Sequence, residues 1–276
     1  MAERPRALIT GASSGIGADF ARQLSQRGYD LVLVARRRER LQALADEVRT
    51  SGGASSEVLI ADLVDQKGLD LVRTRLDQGD IDLLINNAGF PGYIRFVEVD
   101  PNVADDLMRL HVRVPTLLSR AALPHMVQRR QGAIINVASL LSLSGTIPTN
   151  PMPYRAVYAG AKAYLLTFTQ ALAGELKDSG IRLQVLLPGV VKTEFHDTLN
   201  MDRGRLASMA MQSDEVVTAS LAALDRGELI CAPGLDDPAL FDAVGKAQRA
   251  VMEGANRPQL AERYKSSTAG EASRKS

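Results

Sequence analysis

The sequence has one cysteine, almost no net charge and no long apolar run, and each shortage excludes a class of protein. Cys231 alone cannot form a disulfide framework or a cysteine-based zinc site, so no metal site is predicted. The 33 basic and 32 acidic residues leave a net charge of +1, which would not attract nucleic acid or a membrane surface. No apolar run approaches the ~18 residues of a membrane span, and the N-terminus lacks a signal peptide's apolar segment. We therefore expect a cytoplasmic protein with no membrane or nucleic-acid partner.

The order of apolar and amphipathic stretches predicts the fold class. The chain has 276 residues, 45% of them hydrophobic, which is enough for one α/β domain with a sizeable core. Short, nearly continuous apolar runs are typical of strands buried on both faces of a parallel sheet. The predicted strands are Ala7–Thr10, Asp30–Ala35, Glu57–Ala61, Leu83–Asn86, Gly132–Val137, Arg182–Leu187 and Glu228–Cys231. The predicted helices are Gly15–Arg27, Glu39–Thr50, Gln66–Gln78, Asn102–Arg129, Ala156–Asp178 and Ser213–Arg226. This alternation predicts an α/β, doubly wound parallel sheet (a Rossmann fold) of about seven strands.

Two segments interrupt the alternation. Residues 195–211 contain three methionines, and a long, adaptable segment there is a candidate substrate lid, although a packed surface excursion fits the pattern equally well. Residues 238–255 have a helical pattern, and residues 266–276 are small and polar. We therefore expect a single catalytic domain over residues 1–265 and a disordered tail over 266–276.

A glycine-rich turn follows the first predicted strand and opens the first predicted helix. Gly11, Gly15 and Gly17 permit a tight turn whose backbone N–H groups approach a pyrophosphate at the helix N-terminus. A purely structural turn is the alternative. In the expected strand–helix context, dinucleotide binding is favoured, and the predicted contacts are Gly11, Ser13, Ser14, Gly15, Ile16 and Gly17.

The end of the second predicted strand indicates which dinucleotide binds. An acidic residue there would hold a ribose 2′-hydroxyl, whereas an arginine accommodates a 2′-phosphate. Ala35 offers no carboxylate, and Arg36 and Arg37 follow it, so NADP(H) is favoured over NAD(H). A solvated basic start to the next helix is the alternative.

Polar residues also end the third and fourth predicted strands. Asp62 and Leu63 follow the third, and Asn87, Ala88 and Gly89 follow the fourth. Ligands of open α/β sheets bind at the carboxyl ends of strands, so these residues are cofactor candidates. By themselves they are equally compatible with ordinary turns.

Tyr158 and Lys162 lie four residues apart on a predicted helix, which places both side chains on one face. A phenol beside an ammonium can act as a proton donor near neutral pH. Two nearby tyrosines, Tyr154 and Tyr164, have no lysine at this spacing.

Together these motifs resemble the short-chain dehydrogenase/reductase family. The matching pieces, in order, are Thr10–Gly17, Asp62, Asn86–Gly89, Ser139, Tyr158, Lys162, Pro188, Gly189 and Thr193. The resemblance implies that Tyr158 is the general acid/base, that Lys162 lowers its pKa and holds the nicotinamide ribose, and that Ser139 stabilises the reacting oxygen. It also implies that the nicotinamide is bordered by Pro188, Gly189, Val191 and Thr193. Ser142 and Ser144 compete with Ser139, which is preferred because it closely follows a predicted strand.

Two features depart from the family pattern. His111 aligns where the family has an asparagine that holds a water in the proton relay. The histidine could take part in the relay, or it could be an ordinary core residue. Ser139 and Tyr158 are 19 residues apart, which is longer than is common in the family. The added chain, residues 146–153, is either a stiffened rim of the pocket or a harmless insertion.

The sequence therefore predicts an NADP(H)-dependent oxidoreductase that interconverts a carbonyl and a secondary alcohol. Candidate substrate walls are Phe90, Leu141 and Phe195, and the partner is a small-molecule carbonyl or alcohol. The resemblance further implies a homodimer or homotetramer. A non-catalytic dinucleotide-binding regulator and a hydride-shuttling isomerase or epimerase are the alternatives.

Overall fold

The protein folds around a seven-stranded parallel sheet. The computed structural model describes residues 4–149, 152–196, 208 and 210–265. The sheet strands are β1 (Arg6–Thr10), β2 (Asp30–Ala35), β3 (Ser56–Ile60), β4 (Leu83–Asn86), β5 (Gly132–Val137), β6 (Ile181–Leu186) and β9 (Ile230–Cys231). Their order is β3-β2-β1-β4-β5-β6-β9, and every neighbouring pair is parallel. The predicted doubly wound parallel sheet is confirmed, with strand ends within two residues of those expected.

Helices cover both faces of the sheet. The helices that accompany it are α1 (Gly15–Gln26), α2 (Arg38–Gly52), α3 (Gln66–Leu76), α4 (Pro101–Met108), α5 (Val114–Arg129), α6 (Ala156–Glu175) and α7 (Ser213–Asp225). Adjacent residues of β1 point to opposite faces: Ile9 joins the apolar core that contains Phe20 of α1, and Leu8 joins the core that contains Leu118 of α5. Both faces of the strand are therefore buried, which explains its continuous apolar sequence.

The winding of the chain reverses at β1. This strand lies between β2 and β4, so the crossovers on its two sides leave in opposite directions. A crevice opens at the carboxyl ends of the strands at such a point, and ligands of open α/β sheets bind there.

The predicted helix Asn102–Arg129 is helical over its whole length, but it is not one regular α-helix. A π-helical turn, Arg109–Arg113, separates α4 from α5, and buried His111 is its central residue. A π turn accommodates an extra residue without changing the apolar or polar character of its neighbours, so the sequence pattern did not reveal it. Such turns are frequent at functional sites.

The candidate lid and tail fall largely outside the described residues, namely 197–207, 209 and 266–276. A second, two-stranded sheet connects the two sides of the candidate lid: β7 (Val191–Lys192), just before it, pairs with β8 (Met211–Gln212), where it ends. Both ends are therefore anchored near each other.

The chain separates by its contacts into one unit that ends at Gly234 and another that begins at Leu235. The first unit contains the sheet and all predicted site residues. The second contains helix α8 (Ala239–Ala255), which begins one residue later than predicted and has no buried residue. In the described part of the chain, no helix combines the length and the apolar character needed to cross a membrane.

Candidate active site

A cavity of about 860 Å³ lies at the carboxyl ends of the central strands. It brings together nearly all the predicted site residues: Gly11, Ser13, Ser14, Gly15, Ile16, Arg36, Arg37, Asp62, Leu63, Asn87, Ala88, Gly89, Phe90, His111, Ser139, Tyr158, Lys162, Pro188, Gly189, Val191, Thr193 and Phe195. Of the described residues that were predicted, Gly17 and Leu141 do not line it. The topology thus gathers residues from eight separate segments of the sequence into one site.

The glycine-rich turn has a backbone that larger residues would strain. Gly11 and Gly15 have φ angles of +68° and +52°, in the left-handed region that favours glycine. A Cβ on Gly17 would lie 2.3 Å from the carbonyl oxygen of Gly11, so Gly17 lets α1 pack tightly against the turn. Ser14, at the N-cap of α1, makes no side-chain capping hydrogen bond. The Ser14 side chain therefore does not occupy the first N–H groups of α1. A helix N-terminus that binds an anion needs these N–H groups to be available.

Thr10 and Asn87 connect this turn to the end of β4. The Thr10 hydroxyl donates to the carbonyl of Ile85 and accepts from the N–H groups of Asn87 and Ala88. The Asn87 side-chain amide donates to the carbonyl of Thr10 at 2.9 Å. These hydrogen bonds connect the glycine-rich turn to the end of β4 at the floor of the cavity.

The two predicted cofactor arginines differ in their surroundings. Arg36 is 74% exposed, and its nearest guanidinium nitrogen lies 3.6 Å from a carboxylate oxygen of Asp62. Arg37 donates to the hydroxyls of Ser13 and Ser14 and forms an ion pair with Glu194. Arg36 is thus the more available donor for a ligand, whereas Arg37 braces the glycine-rich turn.

Glu194 lines the cavity and was not predicted. Arg37 and Arg40 both donate to its carboxylate, and these hydrogen bonds lower its pKa. An acidic residue five places after Gly189 carries no recognisable motif, so the sequence alone did not indicate this contact.

Ser139, Tyr158 and Lys162 form a buried cluster between β5 and α6. Tyr158 and Lys162 are each 4% exposed, and both lie on the face of α6 that packs inward. The Lys162 ammonium donates to the carbonyl oxygen of Val137, the last residue of β5, at 2.8 Å. It lies 5.6 Å from the centre of the Tyr158 ring, and Ser139 is hydrogen-bonded to the Tyr158 phenol. The four-residue spacing has the geometry expected from the sequence.

Burial dominates the electrostatics of this cluster. Burial raises the pKa of Tyr158 well above its usual range, and the hydrogen bond with Ser139 opposes this. Burial also lowers the pKa of Lys162 to about 7. From the sequence we expected the Lys162 charge to make Tyr158 more acidic. In the structure, burial is the largest influence on the pKa of Tyr158 and raises it, and Lys162 is itself only partly charged near neutral pH.

His111 lies at the inner end of the cavity. Its Nε2 is 3.0 Å from the carbonyl oxygen of Phe90 and 3.4 Å from the backbone nitrogen of the same residue. The shorter contact favours the tautomer in which Nε2–H donates to the carbonyl. Its Nδ1 is buried and has no partner among the described residues. Burial and the nearby Lys162 charge lower the pKa of His111 well below its usual range. The ring is thus neutral, and its Nδ1 lone pair can accept a hydrogen bond.

His111 also explains the need for glycine at position 89. A Cβ on Gly89 would lie 2.5 Å from Cε1 of His111. The imidazole lies edge-on to the Tyr158 ring, with the ring centres 5.3 Å apart. The π turn therefore brings His111 directly beside the phenol.

Aromatic rings surround Tyr158 on its cavity side. Phe195 and Tyr93 lie with ring centres 6.1 Å and 5.4 Å from that of Tyr158. Tyr93 is hydrogen-bonded to Tyr158, and burial raises its pKa to about 12. Tyr93 was not predicted, because it belongs to an irregular segment, and only the fold brings it to the site.

The serines that competed with Ser139 lie further along the turn. Ser139 precedes the 3₁₀ turn Leu140–Leu143, which turns Leu141 away from the cavity, and the backbone N–H of Leu141 donates to the Ser139 hydroxyl at 3.1 Å. The Ser144 hydroxyl donates to the carbonyl of Leu141. Ser142 has a buried hydroxyl with no partner among the described residues. Of the three, Ser139 alone lines the cavity.

The buried Lys162 predicts a pH-dependent stability. Its pKa falls from 10.5 to about 7 on folding, so between these values the unfolded chain binds more protons and the free energy of unfolding rises with pH. Below about pH 7 the folded state bears the full cost of the buried charge. We expect Lys162→Met to gain most stability at low pH, with the gain shrinking as pH rises through this window. Urea unfolding measured at several pH values in this window gives the free energy of unfolding of each variant, with exposed Lys192→Met as the control. A stability gain in Lys162→Met that stays constant or grows as pH rises would contradict the prediction.

Comparison with known proteins identifies the family. The family model described as short chain dehydrogenase matches residues 5–204. A short-chain dehydrogenase from Sphingobium yanoikuyae, solved in complex with NADPH, is 37% identical, with 94% of this chain and 100% of that chain covered and a TM-score of 0.87. The bulky-bulky ketone specific alcohol dehydrogenase from Comamonas testosteroni is 34% identical, with 95% and 99% covered and a TM-score of 0.85.

Curated relatives are similar over less of their length. 17-beta-hydroxysteroid dehydrogenase type 3 from Mus musculus is 30% identical over 82% of this chain and 70% of its own. A Homo sapiens relative named inactive hydroxysteroid dehydrogenase-like protein 1 is 31% identical over 68% of this chain and 56% of its own. Matches to the sequence and to the fold thus agree, and the chain belongs to the short-chain dehydrogenase family of oxidoreductases.

Proposed function

We propose that the protein is an NADP(H)-dependent oxidoreductase that interconverts a ketone or aldehyde and an alcohol by hydride transfer. The observation that carries the proposal is the buried cluster of Ser139, Tyr158 and Lys162, which faces a cavity that also contains the glycine-rich turn. A scaffold that only bound a dinucleotide would have no use for a paired phenol and amine in its interior.

Tyr158 is the proposed general acid for reduction. Burial keeps its phenol protonated at neutral pH, which is the form that donates a proton to a carbonyl oxygen as a hydride arrives. Ser139 donates a second hydrogen bond to that oxygen and stabilises its developing charge. When bound, the nicotinamide supplies or accepts the hydride.

Lys162 and His111 are the proposed route by which Tyr158 regains its proton. Lys162, with a pKa of about 7, can both give and take a proton near neutral pH. The neutral His111 presents a buried acceptor, Nδ1, close to Tyr158. A water held there would link the cluster onward, in the role that asparagine has in relatives. His111 is therefore proposed as part of the relay and not only of the core.

The preference for NADP(H) over NAD(H) is proposed from the end of β2. Ala35 places no negative charge there, and the exposed Arg36 guanidinium is available for a 2′-phosphate. Arg37 supports the preference by adding positive charge beside the phosphate turn. The NADPH in the Sphingobium yanoikuyae relative is consistent with this choice.

A bulky, largely apolar carbonyl compound is the proposed substrate. Phe90, Tyr93 and Phe195 line the same cavity as Tyr158. The Comamonas testosteroni relative, specific for bulky-bulky ketones, supports this class. Leu141 does not line the cavity and is not proposed as a wall. A cytoplasmic location and a homodimer or homotetramer stay predictions from the sequence.

Replacing Tyr158 by phenylalanine tests the mechanism. Because the variant loses the proton donor but keeps the ring, we expect kcat with an aryl ketone to fall by at least about 100-fold while NADPH still binds. Turnover is followed by NADPH oxidation, and binding by cofactor fluorescence. Tyr164→Phe is the matched control on the same helix, because Tyr164 hydrogen-bonds to Thr116 on the outside of the fold.

Near-normal turnover by Tyr158→Phe would refute this mechanism. If the wild-type protein binds NADPH but converts no member of a carbonyl panel, a non-catalytic role is favoured, as the name of the inactive human relative suggests for that protein. Conversion of substrate without net NADPH consumption would instead favour an isomerase or epimerase.

Cofactor choice is tested at Arg36. Loss of one charge-assisted contact is worth roughly 10- to 100-fold in affinity, so Arg36→Ala should raise the KM for NADPH by that amount and leave the KM for NADH nearly unchanged. Arg38→Ala, at the exposed start of α2, is the control. Equal kcat/KM values for NADH and NADPH in the wild type would refute the proposed NADP(H) preference. An unchanged KM for NADPH in Arg36→Ala would refute the role of Arg36 in it.

The relay is tested at His111. His111→Asn restores the residue type of the family and should keep most of the activity. His111→Leu fills the space but lacks the acceptor, so we expect kcat to fall at least about 10-fold with little change in the KM for NADPH. Steady-state kinetics on both variants measure these changes. If His111→Leu has the kcat of the wild type, the histidine has only a packing role and takes no part in the relay.

A further inference from the structure

We infer that Arg155 is a positioning residue that holds Ser139 at its working distance from Tyr158. The inference rests on the proposed function of the Ser139 and Tyr158 pair. Arg155 does not line the cavity. It acts through the turn that follows β5 and through the start of α6, the two elements that carry these residues.

The Arg155 side chain is buried, with 7% of its surface exposed, and its guanidinium makes four hydrogen bonds. Its Nε donates to the Ser144 hydroxyl at 2.7 Å, and Nη2 donates to the Ser144 carbonyl at 2.8 Å. Nη2 also donates to the carbonyl of Ile147 at 2.6 Å, and Nη1 to that of Pro153 at 2.9 Å. No carboxylate pairs with it among the described residues. Burying a guanidinium without partners is energetically unfavourable, so its hydrogen bonds are needed for stability. Because three of the four acceptors are backbone carbonyls, the arrangement indicates a structural role.

These hydrogen bonds continue to Ser139. The Ser144 hydroxyl accepts from Arg155 and donates to the carbonyl of Leu141 at 2.7 Å. The backbone N–H of Leu141 then donates to the Ser139 hydroxyl oxygen at 3.1 Å. This uses an acceptor site of Ser139 and leaves its O–H to donate toward Tyr158 or a substrate oxygen. Through this series of hydrogen bonds, Arg155 holds the Ser139 oxygen in place and leaves the Ser139 O–H available to donate.

Arg155 is also the residue immediately before α6, three positions before Tyr158. The guanidinium consequently connects the Ser139 turn to the end of the helix that carries the phenol. Its remaining acceptors, Ile147 and Pro153, belong to the added chain of residues 146–153. That segment is therefore anchored to the catalytic helix at both described ends, which argues against a harmless insertion.

Only arginine suits this position. Its planar fork presents donors in several fixed directions at once, so one side chain can reach acceptors at three points of the chain. Lysine keeps the charge and most of the length but is a point donor, and it cannot hold the hydroxyl of Ser144, its carbonyl and the two other carbonyls together. The variant Arg155→Lys therefore keeps the positive charge but loses the hydrogen-bond geometry, so it tests the geometry alone.

The test compares Arg155→Lys with Arg4→Lys. Arg4 is the control because its guanidinium also makes four hydrogen bonds, which go to the carbonyls of Gly28, Gly53, Ser25 and Gly52, and because it does not line the cavity. Small misplacement of reacting groups costs up to about 100-fold in rate, so we expect kcat of Arg155→Lys to fall roughly 10- to 100-fold with the KM for NADPH unchanged. The control should lose stability only.

Two further readouts separate positioning from general destabilisation. Hydrogen exchange should quicken at the Leu141 amide in Arg155→Lys but not in Arg4→Lys. The acid limb of kcat/KM for alcohol oxidation should move to higher pH, because the Ser139 hydrogen bond that lowers the pKa of Tyr158 is loosened. If Arg155→Lys does not fold, Ser144→Ala removes the middle link while keeping the arginine, and the same changes are expected.

The inference is overturned if kcat, the pH profile and exchange at Leu141 all match the wild type in the folded variant. It is also overturned if Arg4→Lys reproduces the changes. A wild type that turns over no carbonyl compound would refute the proposed function instead. Exchange at Leu141 would then still decide whether Arg155 holds the Ser139 turn.

Discussion

The site depends on the burial of an amine against the end of a strand. Lys162 enters the interior from α6 and donates to the carbonyl of Val137, where β5 ends. Lowering its pKa from 10.5 to about 7 corresponds to a cost on the order of 5 kcal/mol for the charged form at low pH. The surrounding parallel sheet, with its apolar faces covered by helices, must offset that cost. Such a cost is tolerated where function requires it.

Burial of one group sets the protonation of the others. The Lys162 charge helps to keep His111 neutral, so the imidazole presents an acceptor and not a second cation. The same dry surroundings keep the Tyr158 phenol protonated, and its hydrogen bond with Ser139 opposes the rise in its pKa. In the proposed mechanism, these protonation states favour proton delivery to a carbonyl oxygen, which is the step that reduction requires. Oxidation requires further positive charge near the phenol, which an oxidised nicotinamide carries.

Local features were predictable and contacts distant in sequence were not. The strands were found because residues buried on both faces form continuous apolar runs, and the Tyr158 and Lys162 pair because a helix has a fixed period. The π turn at His111 has no residue signature of its own, so a regular helix was predicted where a π turn lies inside the helical run. Tyr93 and Arg155 reach the cluster only through the fold. The sequence placed Leu141 in the pocket, but the 3₁₀ turn uses its N–H and turns its side chain away.

We propose that a hydride passes between the cofactor and a carbonyl carbon beside Tyr158. Transfer of deuterium from NADPH labelled at its transferable position, followed by mass spectrometry of the alcohol formed from a bulky aryl ketone, measures it most directly. We expect one deuterium on the carbinol carbon for each NADPH oxidised. Alcohol without deuterium, or NADPH that binds and is never oxidised in the presence of any ketone, would contradict it.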